Sequence, residues 1–298
     1  MPKPRIGFVS NIVNGEDKLY YRSLKLASIE KHGLDKVMDV YSSNIQTAEQ
    51  IVRYCSNNKI KFYRMGSLFP FSSHEILGEF KYLDYFDDQL YELGQLIKVK
   101  DIRISMHASE YCVLNSCNPE TVKRSIKELN HTTMLMDKLE LPKHNKVVIH
   151  TGSADGGIEN SIKRFVDVFS QLDNSIKNRI TLENDDRVFP FSLVNKIFKQ
   201  TQIPITIDIF HHRIFNPDKI DEIDALKMAI ETWNGDVPEV HYSCQSLTNT
   251  KKGAHSEGID EDGLLNFLDK TSDLNFDIML ESKGLNASAE KVIELLGG

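Results

Sequence analysis

A chain of 298 residues, 40% hydrophobic and 27% charged, has room for one large α/β domain, and no apolar run in it approaches the roughly 20 residues of a membrane span. Its formal net charge of −7, from 36 basic and 43 acidic residues, argues by itself against a nucleic-acid partner, although divalent ions gathered in one cleft would reverse the local field. Cys55, Cys112, Cys117 and Cys244 show no CxxC spacing and the opening Met1–Asn11 lacks a long hydrophobic signal region, so free thiols and a cytoplasmic protein are expected.

The first strand is expected at Arg5–Ser10, where β-branched and aromatic residues alternate with small ones. A charged amphipathic stretch carrying Leu19, Leu24, Leu26 and Ile29 follows, and Asn44 is expected to cap a helix with Ile45, Ala48, Ile51 and Val52 on its buried face. Strand two falls at Phe62–Gly66, a helix on Leu90, Leu93, Leu96 and Ile97, and strand three at Ile102–His107. Asn118-Pro119 is a cap followed by a first-turn proline, opening a long helix through Val122, Ile126, Leu129 and Leu139. Strand four is Lys146–His150, with a helix on Ile162, Phe165, Val166 and Phe169 behind it. Strands five and six are Ile180–Asp186 and Ile205–His212, separated by a helix around Leu193–Phe198. A helix on Ile223, Leu226, Ala229, Ile230 and Trp233 leads to strand seven, Val240–Ser243. Another on Leu264, Leu265 and Leu268 leads to strand eight, Asp277–Glu281, and a short helix near Val292 closes the run. Strand–helix alternation repeated eight times, with no composition break or linker, predicts a single (β/α)₈ TIM barrel over residues 1–298. A doubly wound sheet lacks support, because no GxGxxG follows the first strand.

In such barrels the chemistry sits at the C-terminal ends of the strands. Strand three ends in His107, strand four in His150, strand five in Glu183; strand six supplies Asp208 with His211 beyond it, strand seven Glu239 and His241, and strand eight Glu281. His74 and His255 stand on loops after strands two and seven. Each has an ordinary reading taken singly, since a lone histidine is usually a hydrogen-bonded surface residue and a lone Asp at a strand end is usually a helix cap. Consecutive strands repeating the pattern at one end of one barrel point instead to a metal centre. Mixed imidazole and carboxylate donors suit manganese, zinc or iron, and this many donors suffice for two or three ions, an arrangement used in phosphoryl transfer. Glu183 and Asp208, central in the strand order, are expected to bridge ions, and Glu183, Asp208 and Glu281 to be the catalytic carboxylates.

The segments Gly7–Asn11, Tyr63–His74, Ser105–Tyr111, Leu182–Asp186, Asp208–His212, Val240–Ser243 and Glu281–Lys283 together resemble the UV damage endonuclease family, in the right order and over nearly the whole chain. That resemblance implies a TIM barrel related to endonuclease IV, with two or three divalent ions, typically manganese, zinc or magnesium being the other choices. It implies an enzyme that acts on damaged double-stranded DNA, with no membrane or protein partner. The family nicks immediately 5′ of pyrimidine dimers and 6-4 photoproducts, and acts on abasic sites, leaving a 3′-hydroxyl and a 5′-phosphate. Motif matching carries its metal ligands onto His74, His107, His150, Glu183, Asp208, His211, His241, His255 and Glu281, and its DNA contacts onto Phe8, Asn11, Glu110 and Tyr111. Three positions depart from the pattern. Glu239 stands where relatives usually have a lysine thought to be carboxylated, Glu110 where they have Gln, and Phe8 where some have Tyr. Glu239 supplies a carboxylate directly, on a shorter arm, and is expected to join the metal site. Lys98, Lys100, Arg103, Lys251 and Lys252 are candidate phosphate contacts. Two rival readings are a xylose-isomerase-like sugar isomerase and a lesion-binding protein that does not cleave.

Overall fold

In the computed structural model, which describes residues 3–13, 18–70 and 82–297, eight parallel strands close into a barrel in chain order. They are β1 (Ile6–Val9), β2 (Phe62–Arg64), β3 (Arg103–His107), β4 (Val147–His150), β5 (Ile180–Glu183), β6 (Ile205–Asp208), β7 (Glu239–Tyr242) and β8 (Asp277–Leu280). The seam is the β1–β8 pair, with Gly7 opposite Met279. The helices are α1 (Leu26–Asn57), α2 (Tyr82–Tyr85), α3 (Asp87–Val99), α4 (Pro119–Lys138), α5 (Ile158–Gln171), α6 (Asn174–Lys177), α7 (Phe191–Thr201), α8 (Ile209–Ile214), α9 (Glu222–Glu231), α10 (Glu261–Lys270) and α11 (Leu285–Leu295). No described helix is long and apolar enough to cross a membrane.

Strand periodicity decides what fills the barrel. Ile104, Val147, Ile149, Leu182, Ile207, Val240 and Ile278 turn outward into the main apolar cluster under the helices. Their neighbours in sequence turn inward, and most of those are polar. At the base, Arg103 pairs with Asp277 at 2.8 Å and lies 4.9 Å over the Phe62 ring. Above them Ser105 donates to Glu239 at 3.0 Å, and the Thr181 and Thr206 hydroxyls meet at 3.0 Å. The next layer up holds His107, Glu183, Asp208 and His241. The lumen is therefore a polar column that ends in the ligand-bearing layer, where many barrels carry branched aliphatics.

Two local expectations change. Asn44 caps nothing, because α1 runs through it. The helix is interrupted at Gly33 (φ 67°, ψ −162°), a conformation that glycine enters without a Cβ penalty. The buried Asn44 amide instead accepts from Arg22 N–H at 2.8 Å and donates to the Leu68 carbonyl at 3.1 Å, tying the β1 and β2 loops together. Strands five and six stop at Glu183 and Asp208, and His211 and His212 belong to α8. The Asn118 cap is present as read, accepting from Glu120 N–H at 3.0 Å ahead of Pro119.

Candidate metal centre

Glu183 is the hub. It is almost fully buried at the tip of β5, and its two oxygens face different histidines. Oε2 lies 3.1 Å from His107 Nε2 and 3.6 Å from His150 Nε2, while Oε1 lies 2.8 Å from His241 Nδ1 and 3.6 Å from His211 Nδ1. Two groups of donor atoms result, each within 4.8 Å internally: His107, His150 and Glu183, and Glu183, Asp208, His241 and Glu281. Glu183 belongs to both, as a carboxylate bridging two ions would.

Asp208 combines the ordinary reading with the unusual one. Its Oδ1 accepts the His211 N–H at 2.7 Å and so caps α8. Its Oδ2 is buried with no hydrogen-bond partner, 3.6 Å from His211 Nδ1. Asn184 fixes the backbone around it, donating to the Asp208 carbonyl at 3.0 Å and accepting from its N–H at 2.9 Å. One free oxygen remains to Asp208, against two at Glu183.

Three histidines share a second feature. Nδ1 of His107 faces the Ala108 carbonyl at 2.7 Å, Nδ1 of His211 the Asn184 carbonyl at 3.0 Å, and Nδ1 of His255 the Glu281 carbonyl. A carbonyl on one ring nitrogen fixes the tautomer and aims the other nitrogen outward, as metal-ligating histidines require. The donor set, with Asp208 Oδ2 and Glu239 Oε2 buried and not hydrogen-bonded, fits divalent cations of the manganese or zinc type.

Glu239 lies one layer below. It is fully buried, and its Oε1 accepts from Ser105 and sits 3.1 Å from His241 Nε2 and 3.4 Å from Arg64. Arg64 is the residue that sequence reasoning missed. Projecting from β2, it hydrogen-bonds Glu281, abuts His241 and lies beside Glu239, so a guanidinium stands inside the carboxylate cluster. Its one signal was a charge in the middle of the otherwise apolar Phe62–Met65 stretch. Asp185 was also missed. Its Oδ1 accepts from the backbone N–H groups of Arg187, Val188 and Phe189 and shapes the loop beside the cleft.

The charges hold one another in unequal states. Burial pushes the Glu183 carboxyl up, but His241 and His150 more than reverse this and hold it well below the usual carboxylate range. Burial raises Asp208 to about 6. Burial would lower the Glu281 tendency to ionise, yet Arg64 and His241 bring it to about 2. Burial disfavours charge on His211 and His241, but the carboxylates prevail: Asp208 and Glu183 lift His211 to about 9, and Glu183 and Glu281 lift His241 to about 10. Both rings therefore carry an extra proton at neutral pH, which a ligating nitrogen must lose. Adding manganese to the metal-free protein in weak buffer near pH 7 is expected to release protons, and affinity is expected to climb with pH until about 10, measured by calorimetry in buffers of different ionisation heat. Affinity that is flat from about pH 6 to about pH 8 would exclude these two rings as ligands.

The cluster opens into a cleft of ≈ 720 Å³ bounded by Glu110 and Val113 after β3, Asp185 and Arg187 after β5, and Gly253 and His255 after β7. Glu110 lines it, and Tyr111, next in sequence, is 84% exposed. Phe8 does not reach it. The ring is fully buried on the helix side of β1, 5.4 Å from the Tyr63 ring, because β1 turns Gly7 rather than Phe8 toward the lumen. Asn11 is half-buried, and its Oδ1 accepts the Tyr21 N–H at 3.0 Å. His74 lies outside the described residues. Lys98 and Lys100 close α3, at the opposite end of the barrel from the cleft, and Arg103 is locked in the basal ion pair. His212 Nε2 donates to the Ile220 carbonyl, 3.0 Å away, and supports α8 from outside the cluster.

Fold and site together define a TIM-barrel protein whose strand tips carry a histidine–carboxylate cluster able to hold divalent metal. Residues 4–296 match the family described as UV-endonuclease UvdE, and the chain belongs to that family. It is 31% identical over 266 residues to a UV DNA damage endonuclease of Clostridium perfringens (strain 13 / Type A); the match covers 88% of this chain and 64% of that relative, slightly under two thirds of its length. It is 30% identical over 288 residues to a UV DNA damage endonuclease of Bacillus cereus (strain Q1), covering 94% of this chain and 90% of that one. Among solved structures, SacUVDE superposes with a TM-score of 0.91 at 33% identity, covering 99% of this chain and 98% of its own. Endonuclease IV from Thermus thermophilus superposes at 0.62 over 99% of each chain with 15% identity, which shows a shared fold.

Proposed function

We propose that this chain is a single-domain, metal-dependent endonuclease that nicks damaged double-stranded DNA immediately 5′ of ultraviolet photoproducts, and that it also acts on abasic sites. The observation that carries this reading is Glu183 shared between two histidine–carboxylate groups at the floor of an open cleft, in a member of the UvdE family. His107, His150, Glu183, Asp208, His211, His241, His255 and Glu281 would hold the ions, with His74 and Glu239 completing the set. Two or three divalent ions, manganese first, would ionise water near neutral pH and offset charge on the phosphate. The residues do the rest. The carbonyl-anchored imidazoles fix the donor positions, Glu183 sets the spacing between the two groups, and Arg64 holds Glu281 in place from below.

The test is an end-labelled duplex carrying one defined photoproduct. The upstream fragment is expected to bear a 3′-hydroxyl that a polymerase extends. An unsaturated 3′ sugar end would mean lyase chemistry and would overturn the hydrolytic reading; tight binding without nicking would favour the lesion-binding rival.

Lesion recognition falls to Glu110 and Tyr111. An exposed aromatic next to a cleft-lining residue can fill the gap left by extruded bases, a stacking contribution of roughly 1–3 kcal/mol per base. Tyr111→Ala is expected to weaken binding to damaged duplex about tenfold or more with metal content unchanged. Glu110 accepts hydrogen bonds but repels phosphate, so Glu110→Gln is expected to tighten binding, most at low salt where repulsion is least screened. Fluorescence anisotropy measures both; unchanged affinity in both variants would move the probe elsewhere.

A further inference from the structure

Among the described exposed large hydrophobic residues, Tyr20, Tyr111 and Leu247 stand on loops at the cleft end of the barrel, and Leu247 is 100% exposed. It caps a hairpin-like loop between β7 and α10 that closes at the Gln245–His255 bridge. A lone surface leucine needs no explanation. Three features set this one apart.

The loop is braced by hydrogen bonds within itself. Ser246 N–H donates to the Ala254 carbonyl at 2.7 Å, Gln245 Nε2 donates to the Lys251 carbonyl at 3.0 Å, and the Ser246 hydroxyl accepts from Asn249 N–H at 3.1 Å. Gly253, at φ +84°, packs so closely on Asp186 that a Cβ would come within 2.3 Å of the carboxylate. The loop is also tied to the candidate site, since its returning segment lines the cleft with Gly253 and His255. Finally, Lys251 and Lys252 are exposed on its turn and enter no ion pair among the described residues, in a chain of net charge −7.

Strands β3 and β7 stand opposite each other in an eight-strand ring. The loops bearing Tyr111 and Leu247 thus face one another across the cleft. We infer that the Leu247 loop is a second DNA-contact element, in which Leu247 wedges against the base stack on the side of the lesion opposite Tyr111 and Lys251 and Lys252 hold the flanking phosphates. Apolar side chains inserted at a base step unstack it and bend the duplex, which lowers the cost of drawing damaged bases out. Held by its own hydrogen bonds, the loop loses little freedom on binding. The inference rests on damaged duplex DNA being the substrate.

The test uses the full-length, metal-loaded protein with duplexes carrying a thymine dimer or an abasic-site analogue, a matched undamaged duplex, and 2-aminopurine beside the lesion. Leu247→Ala is expected to weaken binding to both damaged duplexes on the order of tenfold, to leave undamaged binding and the salt slope unchanged, and to lose the 2-aminopurine rise that reports unstacking. Leu247→Met restores both readouts, which separates a wedge from an incidental surface effect. Lys251→Ala/Lys252→Ala is expected to weaken damaged and undamaged binding alike and to reduce the salt slope by roughly two. If the parent protein distinguishes damaged from undamaged duplex and Leu247→Ala does so equally well with full 2-aminopurine signal, the wedge is overturned and the functional reading stands. If the parent protein neither prefers nor nicks damaged duplex, the functional reading fails and the wedge with it.

Discussion

Glu183→Gln is expected to lose bound metal and to drop nicking of ultraviolet-irradiated plasmid by well over about a hundredfold, the scale on which even supporting residues of metal sites act. Its two oxygens serve two donor groups, so the amide disables both. Gln keeps the shape of the side chain, and the strand ladder around it is unchanged, with Glu183 paired to His150 and to Thr206. The barrel should stay folded by circular dichroism while elemental analysis shows the metal gone. A variant with full metal content that nicks at the parent rate would show the hub to be elsewhere.

Arg64→Ala is expected to be the most damaging change to the metal-free protein. Arg64 and Glu239 are both buried, with Glu281 on the guanidinium's other side. Removing one member of such a buried set leaves an uncompensated charge, which typically costs about 3–5 kcal/mol. Denaturant unfolding in the presence of a chelator should show that loss, and adding manganese should narrow it, because a divalent ion brings positive charge to the same carboxylates. Arg64→Ala/Glu239→Gln should recover part of the deficit, since the buried charge is then removed from both sides. A metal-free Arg64→Ala protein as stable as its parent would mean that the carboxylates are satisfied by something other than the guanidinium.

These two residues mark how far the sequence could be read. Glu183 was legible because a β-branched strand running into a carboxylate is a pattern that burial forbids without a partner, and because neighbouring strands repeat it. Arg64 was not, since an Arg among apolar residues can as easily snorkel from a barrel rim as point into the lumen. The inward direction depends on the register with β1 and β3, which only the closed barrel supplies. Phe8 illustrates the same gap. Its place in the motif was visible, but the face of β1 that looks into the lumen was not, and one residue of register separates a DNA contact from a core ring. Asn44 was read as a cap from its residue type, and the helix ran through it because tertiary contacts at the Arg22 and Leu68 backbone gave its amide other partners. Lys98, Lys100 and Arg103 could be assigned to an end of the barrel only once strand direction was known.

The seam between β1 and β8 has one more consequence. Of the described ligand set, the first half-barrel, β1 through β4, contributes His107 and His150, while the carboxylates arrive on β5 to β8 and Glu281 arrives beyond the last strand. The His107–His150–Glu183 group therefore draws on both halves of the chain, while the Glu183–Asp208–His241–Glu281 group lies within the second half. Closing the ring joins residues some 270 positions apart, as in the Ile6–Ile278 register, and pairings of such long range form slowly. Of the two donor groups, only the one with His107 and His150 depends on the first half-barrel packing against the second, so metal capture by a clipped second half and by the whole chain would differ by that one group.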